Sequence, residues 1–380
     1  METETTHSRQ YITTGPSLYL AFELGLKTWK LGFTIGLGQR ARLRTVAARD
    51  LESLQMEIRQ AKRRFHLPDS AAVKSCYEAG RDGFWLHRYL KTVQVVNQVV
   101  HSASIEVPRA ARRAKTDRLD AEKLLTMLIR YHSGETKVWK VVHPPSPQEE
   151  DQRQLHRELQ TLKSERTRHR NRLHAFLLSQ GVRLTLGRDF LAQLQRVRLW
   201  DGQPLPAGLR ARLEREYAQL CFVHQQILQL EAERRRMIRS TPGRELDQVR
   251  QLLRLRGIGE NAAWLYVMEF FGWRQLRNRR QLGALAGLVP TPAQSGDSHQ
   301  EQGISKAGNR HVRAMAIELA WMWLRYQPES ALSRWFEQRY AQAGKRARKV
   351  GIVAVARRLL IALWRYLETG ALPEGAQLKD

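Results

Sequence analysis

Apolar and polar positions change rhythm twice along this chain, and each change marks a different kind of element. Between Leu18 and Val46 the apolar residues come in short runs, LYLAFEL, WKLGFTI and ARLRTVAA, separated by glycine-containing turns. That pattern predicts three strands. A helix follows from about Asp50 to Phe65, with Asp50 as its cap. AAVKSCYE (71–78) predicts a fourth strand, GFWLHRYL (83–90) a helix and TVQVVNQVV (92–100) a fifth strand. Strands that alternate with helices imply an α/β layer with parallel pairing. A helix from Asp117 to about His132 closes this domain, which spans residues 17–142.

The rhythm then becomes helical and strongly polar. HPPSPQ (143–148) reads as a linker, followed by two long helices over roughly 149–180 and 207–240. The first carries Leu155, Leu159, Leu162, Leu173 and Leu177 among many charges. Such helices pair as coiled coils, within or between chains, or as an ordinary helical hairpin. They complete a middle segment of 143–245. From 246 to 380 the pattern turns apolar and helical again. VRQLLRLRGIGENAAWLYVMEFFG places Gly257-Ile258-Gly259 between two helical stretches. AMAIELAWMWLRY and VGIVAVARRLLIALWRYL predict packed helices, with Gly351, Ala354 and Ala356 allowing close approach and Trp321, Trp323 and Trp364 filling core.

Charge changes the picture more than overall composition does. The chain has 64 Lys and Arg against 37 Asp and Glu, a formal net charge of +27, spread along its length. A broad basic surface points to nucleic acid, and Arg forks grip phosphates bidentately. Membrane spanning is excluded as an expectation, because Glu23, Lys27, Lys30, Arg357 and Arg358 interrupt the most apolar runs. Cys76 and Cys221 are the only cysteines, which fits a reducing cytoplasm and no disulfide framework. METETTHSRQ lacks the pattern of a secretory signal, and residues 1–16 read as a disordered tail.

The candidate chemistry is acidic. KTDRLDAEKLL (115–125) sets Asp117 and Asp120 three apart on one helix face. Two such carboxylates repel unless a cation, typically a divalent metal, lies between them. The plainer alternative is a helix N-terminus, where Asp is favoured by the dipole. Glu23 ends the first predicted strand and Glu78 the fourth. Strand ends and a helix start are where an open α/β sheet gathers a site. Metal-dependent nucleases of the RNase H and RuvC type place a comparable carboxylate set around two ions, which clamp the attacking and leaving oxygens. Asp82 reads instead as a helix cap.

These motifs resemble the insertion-sequence one-ten family of bacterial transposases, the DEDD transposases now seen as bridge-RNA-guided serine recombinases. The resemblance rests on the strand-end acid, YEAGRDG, KTDRLDA, GIGENAA, GLVPTPAQSG (287–296), GISKAGNRHVR (303–313) and VAVARRLLIALWRYL (353–367). It covers about residues 18–367, nearly the whole chain. It implies an N-terminal RuvC/RNase H-like α/β domain, coiled-coil helices and an all-α C-terminal transposase domain with a nucleophilic serine. Carried over residue by residue, the metal-binding acids are Glu23, Glu78, Asp117 and Asp120, and the serine is Ser295. The metal is Mg²⁺, with Mn²⁺ as the alternative. In one departure, the family's usual first acid is Asp, and Glu23 reaches one methylene further.

A serine hydroxyl needs help to act as a nucleophile. Ser295 lies in TPAQSGDSHQEQG, read as a loop, with Lys306, Arg310 and Arg313 downstream to neutralise charge on a phosphorane. Its alternative role is to shape a turn. Ser305 reads as a residue near a helix start. No Ser-His-Asp order is present, so a split site is expected, with metal held by the acids activating Ser295. Gly257 and Gly259 resemble a helix-hairpin-helix, whose amides hold a phosphate, or else a tight interhelical turn. Arg109, Arg112, Arg113 and Lys115, and the stretch 163–172, are candidate nucleic-acid contacts. The expected function is a recombinase that moves its own element through a serine–phosphate link, without ATP, since no P-loop is present. Expected partners are DNA, a guide RNA implied by the resemblance, and further copies of the chain, a dimer pairing into a tetramer. The alternatives are a metal-only junction nuclease and a decayed transposase that only binds nucleic acid.

Overall fold

The computed structural model describes residues 15–81, 83–106, 117–295 and 298–379, with backbone alone at 103, 117–118, 293–295 and 298–302. The chain divides into two compact units, Met1–Pro145 and Ser146–Asp380. The expected tail, apart from Gly15 and Pro16, lies outside the described residues, as do Asp82, Arg109, Arg112, Arg113 and Lys115.

The first unit runs β1 (Leu18–Leu24), β2 (Thr28–Thr34), β3 (Arg42–Ala47), α1 (Leu51–Arg64), β4 (Val73–Glu78), α2 (Trp85–Thr92), β5 (Val96–Val100), a 3-10 turn (Ser102–Ser104), α3 (Asp117–His132) and β6 (Val141–Val142). The strands form one sheet in the order β3-β2-β1-β4-β5-β6. The expectation of parallel pairing holds for β1–β4 and β4–β5, but β1–β2, β2–β3 and β5–β6 are antiparallel. The reason is connection length. Gly25 N donates to Thr28 O at 3.1 Å in the turn after β1, far too short a link for a parallel crossover.

Alternation along β1 sets the two faces. Leu18, Leu20 and Phe22 enter one core with Leu54, Ile58, Leu86 and Leu90, beneath α1 and α2. Ala21 enters the other with Cys76, Leu124, Leu125 and Leu128, beneath α3. Asp50 caps α1 as expected, accepting from Ser53 N at 3.0 Å. The cap position of α2 is Phe84.

The second unit is helical apart from one ribbon. It runs α4 (Pro147–Asp151), α5 (Gln154–Leu178), α6 (Phe190–Arg196), α7 (Ala207–Ser240), α8 (Arg244–Leu253), α9 (Glu260–Tyr266) continuing as a π-turn (Val267–Phe271), α10 (Arg279–Ala286), β7 (Pro290–Ser295), β8 (Ser298–Ile304), α11 (Arg310–Tyr326), α12 (Ala331–Tyr340) and α13 (Lys345–Thr369). The predicted linker ends in a capping box, in which Ser146 and Glu149 satisfy each other's backbone amides. Leu159 of α5 packs with Val223 and Ile227 of α7, and Leu173 and Leu177 with Leu213 and Leu220. The two helices are therefore antiparallel partners within the chain. Their connection folds around Phe190, Leu194 and Leu205 and extends that second core.

The largest core joins α8, α9, the π-turn, α10, α11, α12 and α13 around Trp264, Phe270, Trp323 and Leu359. Gly351 behaves as expected. A Cβ there would stand 2.7 Å from Tyr340 Cγ and 2.9 Å from Phe336 Cε2, so only glycine lets α13 approach α12. The tryptophans separate. Trp323 is buried and donates to Ser330 Oγ at 2.9 Å, Trp364 is half-buried, and Trp321 is 45% exposed. Trp321 and Trp323 are two residues apart on a helix, so they face nearly opposite ways and only one can enter the core.

Candidate active site: an acidic sheet end and a serine hairpin

β1 and β4 pair in parallel, ending in the register pair Phe22–Tyr77. One step further, Glu23 and Glu78 stand side by side at the ends of the two strands. They lie on the same face as Ala21 and Cys76, the face that α3 covers. On its other side Glu23 is the register partner of Lys30 on β2.

The direction of α3 brings the remaining acids to that end. Its last residue, His132, lies over Tyr19, with ring centroids 6.1 Å apart. In its middle, the Cys76 thiol points at Leu124 O at 3.8 Å. Ala121 Cβ lies 3.6 Å from where a Gly32 Cβ would be, and Gly32 is the register partner of Ala21. The helix thus runs opposite to β1, with Asp117 and Asp120 toward the end that holds Glu23 and Glu78. Hard carboxylate oxygens in this number suit Mg²⁺. Among the described residues no three His, Cys, Asp or Glu side chains close into a metal-binding group, and the Asp117 side chain is not among those described. At the opposite end of α3, Lys74 lies 5.6 Å from the Tyr19 ring, and burial holds its pKa below the usual lysine value.

Ser295 belongs to a β-hairpin and not to the expected loop. The β7–β8 register runs to Ser295–Ser298, so Ser295 is the last paired residue of β7. The segment lacks apolar alternation, which is why the sequence pattern does not reveal a ribbon. Its base is fixed by close backbone contacts. Ser305 N donates to Val289 O at 2.8 Å, Lys306 N to Gly287 O at 3.2 Å and Asn309 N to Leu285 O at 2.9 Å. Gly287 closes α10 in the left-handed region (φ 69), and a Cβ on Gly308 would strike Leu285 O and lie 2.7 Å from Gly287 N.

The three downstream cations differ in what they can do. Arg313 donates to Lys306 O at 2.9 Å and to Ala286 O at 3.4 Å, so it braces the hairpin base. Lys306 is exposed, with φ 53, and Arg310 is exposed at the start of α11. That start is capped by Asn309, whose Oδ1 accepts from His311 N at 2.9 Å and Val312 N at 3.2 Å, so Ser305 is not the cap. Sequence reasoning missed Asn309, Gly308 and Gly287 as positioning residues. The signal available was a Gly-Asn pair directly before an apolar helix.

Gly257 and Gly259 do lie between two helices, and the surroundings of Gly257 explain that glycine by packing. Its φ is 83, and a Cβ there would lie 3.1 Å from Tyr326 Cβ on α11. The turn is strapped by the C-terminal segment. Lys379 Nζ donates to Ile258 O at 2.7 Å, Arg256 N to Gln377 O at 3.1 Å, and Gln327 Nε2 to Arg256 O at 2.9 Å. Gly259 is open and precedes α9.

Comparison with known proteins bears on the family of the chain. Residues 249–335, which include the hairpin, match the transposase IS116/IS110/IS902 family. The chain is 40% identical over 376 residues, 96% of its length and 95% of theirs, to y4rJ of Sinorhizobium fredii (strain NBRC 101917 / NGR234), a protein whose name calls it a transposase. It is 27% identical over 280 residues to the transposase for insertion sequence element IS1328 of Yersinia enterocolitica, covering 71% of this chain and 78% of that one.

Proposed function

The chain belongs to the IS116/IS110/IS902 family of transposases, and on that premise we propose that it moves an insertion element by cutting and rejoining DNA through a serine–phosphate link. Ser295 Oγ loses its proton and forms a bond to phosphorus. The bond from phosphorus to one deoxyribose oxygen breaks, and that oxygen leaves with a proton. A hydroxyl of the partner strand later attacks the same phosphorus and releases Ser295. The energy of the broken phosphodiester stays in the link, so no ATP is consumed.

Glu23, Glu78, Asp117 and Asp120 are the residues to hold Mg²⁺ (or Mn²⁺), which when bound supplies Lewis-acid stabilisation of phosphoryl oxygens. The observation that carries this reading is the β1–β4 register, which sets Glu23 beside Glu78 at the end toward which α3 directs its acids. Like charges so placed repel, and a divalent cation removes that cost. On this reading the first unit is RuvC-like. The antiparallel pair of α5 and α7 is the coiled-coil element, and strand exchange on two duplexes needs a dimer that pairs into a tetramer. Lys306 approaches the phosphate, Arg310 contacts the strand nearby, and a structured guide RNA selects the target.

The test uses end-labelled duplex carrying the element end, incubated with protein and Mg²⁺, then run on a denaturing gel. A protein-bound band that disappears in Ser295→Ala supports the serine link. Cleavage by Ser295→Ala at the wild-type rate would leave a metal-only nuclease as the function.

A further inference from the structure

Within the second unit, one face of α5, the π-turn and the start of α11 enclose a polar cavity of about 450 Å³. Arg157, Ser164 and Arg168 line it from α5, Glu269 from the π-turn and Arg310 from α11. Arg168 meets Glu165 of its own helix at 3.5 Å, and the lining itself carries three arginines and one carboxylate, Glu269. That carboxylate is already engaged. Arg157 grips it bidentately, Nε to Oε1 at 2.6 Å and Nη2 to Oε2 at 3.1 Å, and Glu269 is 5% exposed.

Two further guanidinium groups lie near Glu269. Arg153, 6% exposed, and Arg274 stack on Trp273 at 4.9 Å and 4.2 Å from the ring centroid. Both feel the charge of the same Glu269, and burial with the repulsion of Arg153 pushes Arg274 down to about 10. Arg153 Nε donates to Glu149 O at 3.0 Å, and its Nη2 stands 4.0 Å from Glu150 Oε1. Positive charge taken out of water is costly unless negative charge accompanies it. His156, 1% exposed, also lines the cavity. Its Nδ1 has no hydrogen-bond partner, while its Nε2 meets Gln160 Nε2 at 3.3 Å.

We propose that this cavity seats a backbone phosphodiester of a nucleic-acid strand, held by Arg157, Arg168, Arg310 and the Ser164 hydroxyl. A tetrahedral oxyanion supplies the acceptors and the negative charge that the walls lack. Guanidinium forks match its geometry. The volume suits a phosphate with its flanking sugars. Apart from two histidines, no ring faces the cavity among the described residues, so base stacking is not its mode of contact. The inference rests on the nucleic-acid function proposed above and assigns a place to one contact.

The test measures binding of full-length protein to a fluorescein-labelled duplex, and to a single strand of equal length, across a salt series. Arg168→Gln lowers affinity and reduces the slope of log affinity against log salt by about one. Glu269→Gln, which keeps an acceptor for Arg157 but removes the one acid, raises affinity. Arg215→Gln removes an exposed charge from α7 outside the cavity and serves as the control for long-range field. Equal behaviour of Arg168→Gln, Glu269→Gln and Arg215→Gln overturns the proposal. So does a case in which inorganic phosphate raises the unfolding temperature of wild type but not of Arg168→Gln, while all variants bind nucleic acid alike. That result assigns the cavity to a free anion. A wild type that binds neither probe at low salt overturns this proposal and the transposase function together, whereas the first two outcomes leave the function standing.

Discussion

Glu23 and Lys30 are register partners across β1 and β2, while Glu78 stands on the other side of Glu23, one step past the Phe22–Tyr77 pair. Lys30 therefore flanks one side of the carboxylate pair at the sheet end, and Asp120 lies toward that end. Neutralising Glu78 relieves repulsion and removes a ligand at once. Glu78→Gln is expected to unfold at the same temperature as wild type or slightly above, by a fraction of a kcal/mol, while DNA cleavage falls at least about a hundredfold. Mg²⁺ raises the unfolding temperature of wild type and not of the variant. Calorimetric scans with and without Mg²⁺, beside the cleavage assay, check both parts. A cleavage-competent Glu78→Gln removes the acid set from the mechanism.

Gly308 ties the serine hairpin to the helical core through contacts that leave no room for a side chain. Gly308→Ala forces the backbone near Leu285 and Gly287 apart and lets the hairpin base move. Its core, built on Trp264, Trp323 and Leu359, is untouched. The expected cost in stability is about 1–3 kcal/mol, with a larger loss of covalent adduct formation than of nucleic-acid binding. Parallel losses of adduct and binding would make Gly308 a folding residue only.

Much of this arrangement is legible in the sequence, and the parts that are not fail for identifiable reasons. The period of Leu18, Leu20 and Phe22 reveals β1 because one face of that strand is buried. The β7–β8 ribbon gives no such period, and β6 has only two residues, Val141–Val142. Strand direction is not legible where turns, and not helices, join the strands. Asp117, Asp120, Glu23 and Glu78 are proposed as a set from their positions in elements, whereas the Glu23–Glu78 register is not legible in the sequence. Gly257 shows the limit most plainly. A glycine kept for a phosphate and one kept because Tyr326 packs on it look alike in sequence.

Acid should weaken the second unit through His156. Burial pushes its pKa down from the ordinary 6.5 to about 4. Below 6.5 the unfolded chain takes up a proton that the folded chain refuses until near 4. The contribution is therefore complete above 6.5 and is lost as pH falls between those values, up to about 3 kcal/mol. Urea unfolding of wild type and His156→Gln at several pH values isolates it, because the half-buried His132, also pushed down to about 4, is common to both. Identical pH dependence in the two proteins would mean that His156 is protonated or solvated in the fold.

The two thiols give a probe of the acidic end itself. Cys221 is exposed on α7, whereas Cys76 is buried on β4, two residues before Glu78 and beneath α3, and burial pushes its pKa far up. In the native protein a thiol reagent should modify one cysteine quickly and the other only when α3 lifts from the sheet. An ion held between the strand ends and the start of α3 ties those elements together. Mg²⁺ is therefore expected to slow modification of Cys76 severalfold and leave Cys221 unchanged. Glu78→Gln should remove that protection without changing the rate in the absence of metal. Mass spectrometry of a quenched labelling series resolves the two sites. Equal Cys76 rates with and without Mg²⁺, in protein that still cleaves DNA, would place the ion away from this end of the sheet.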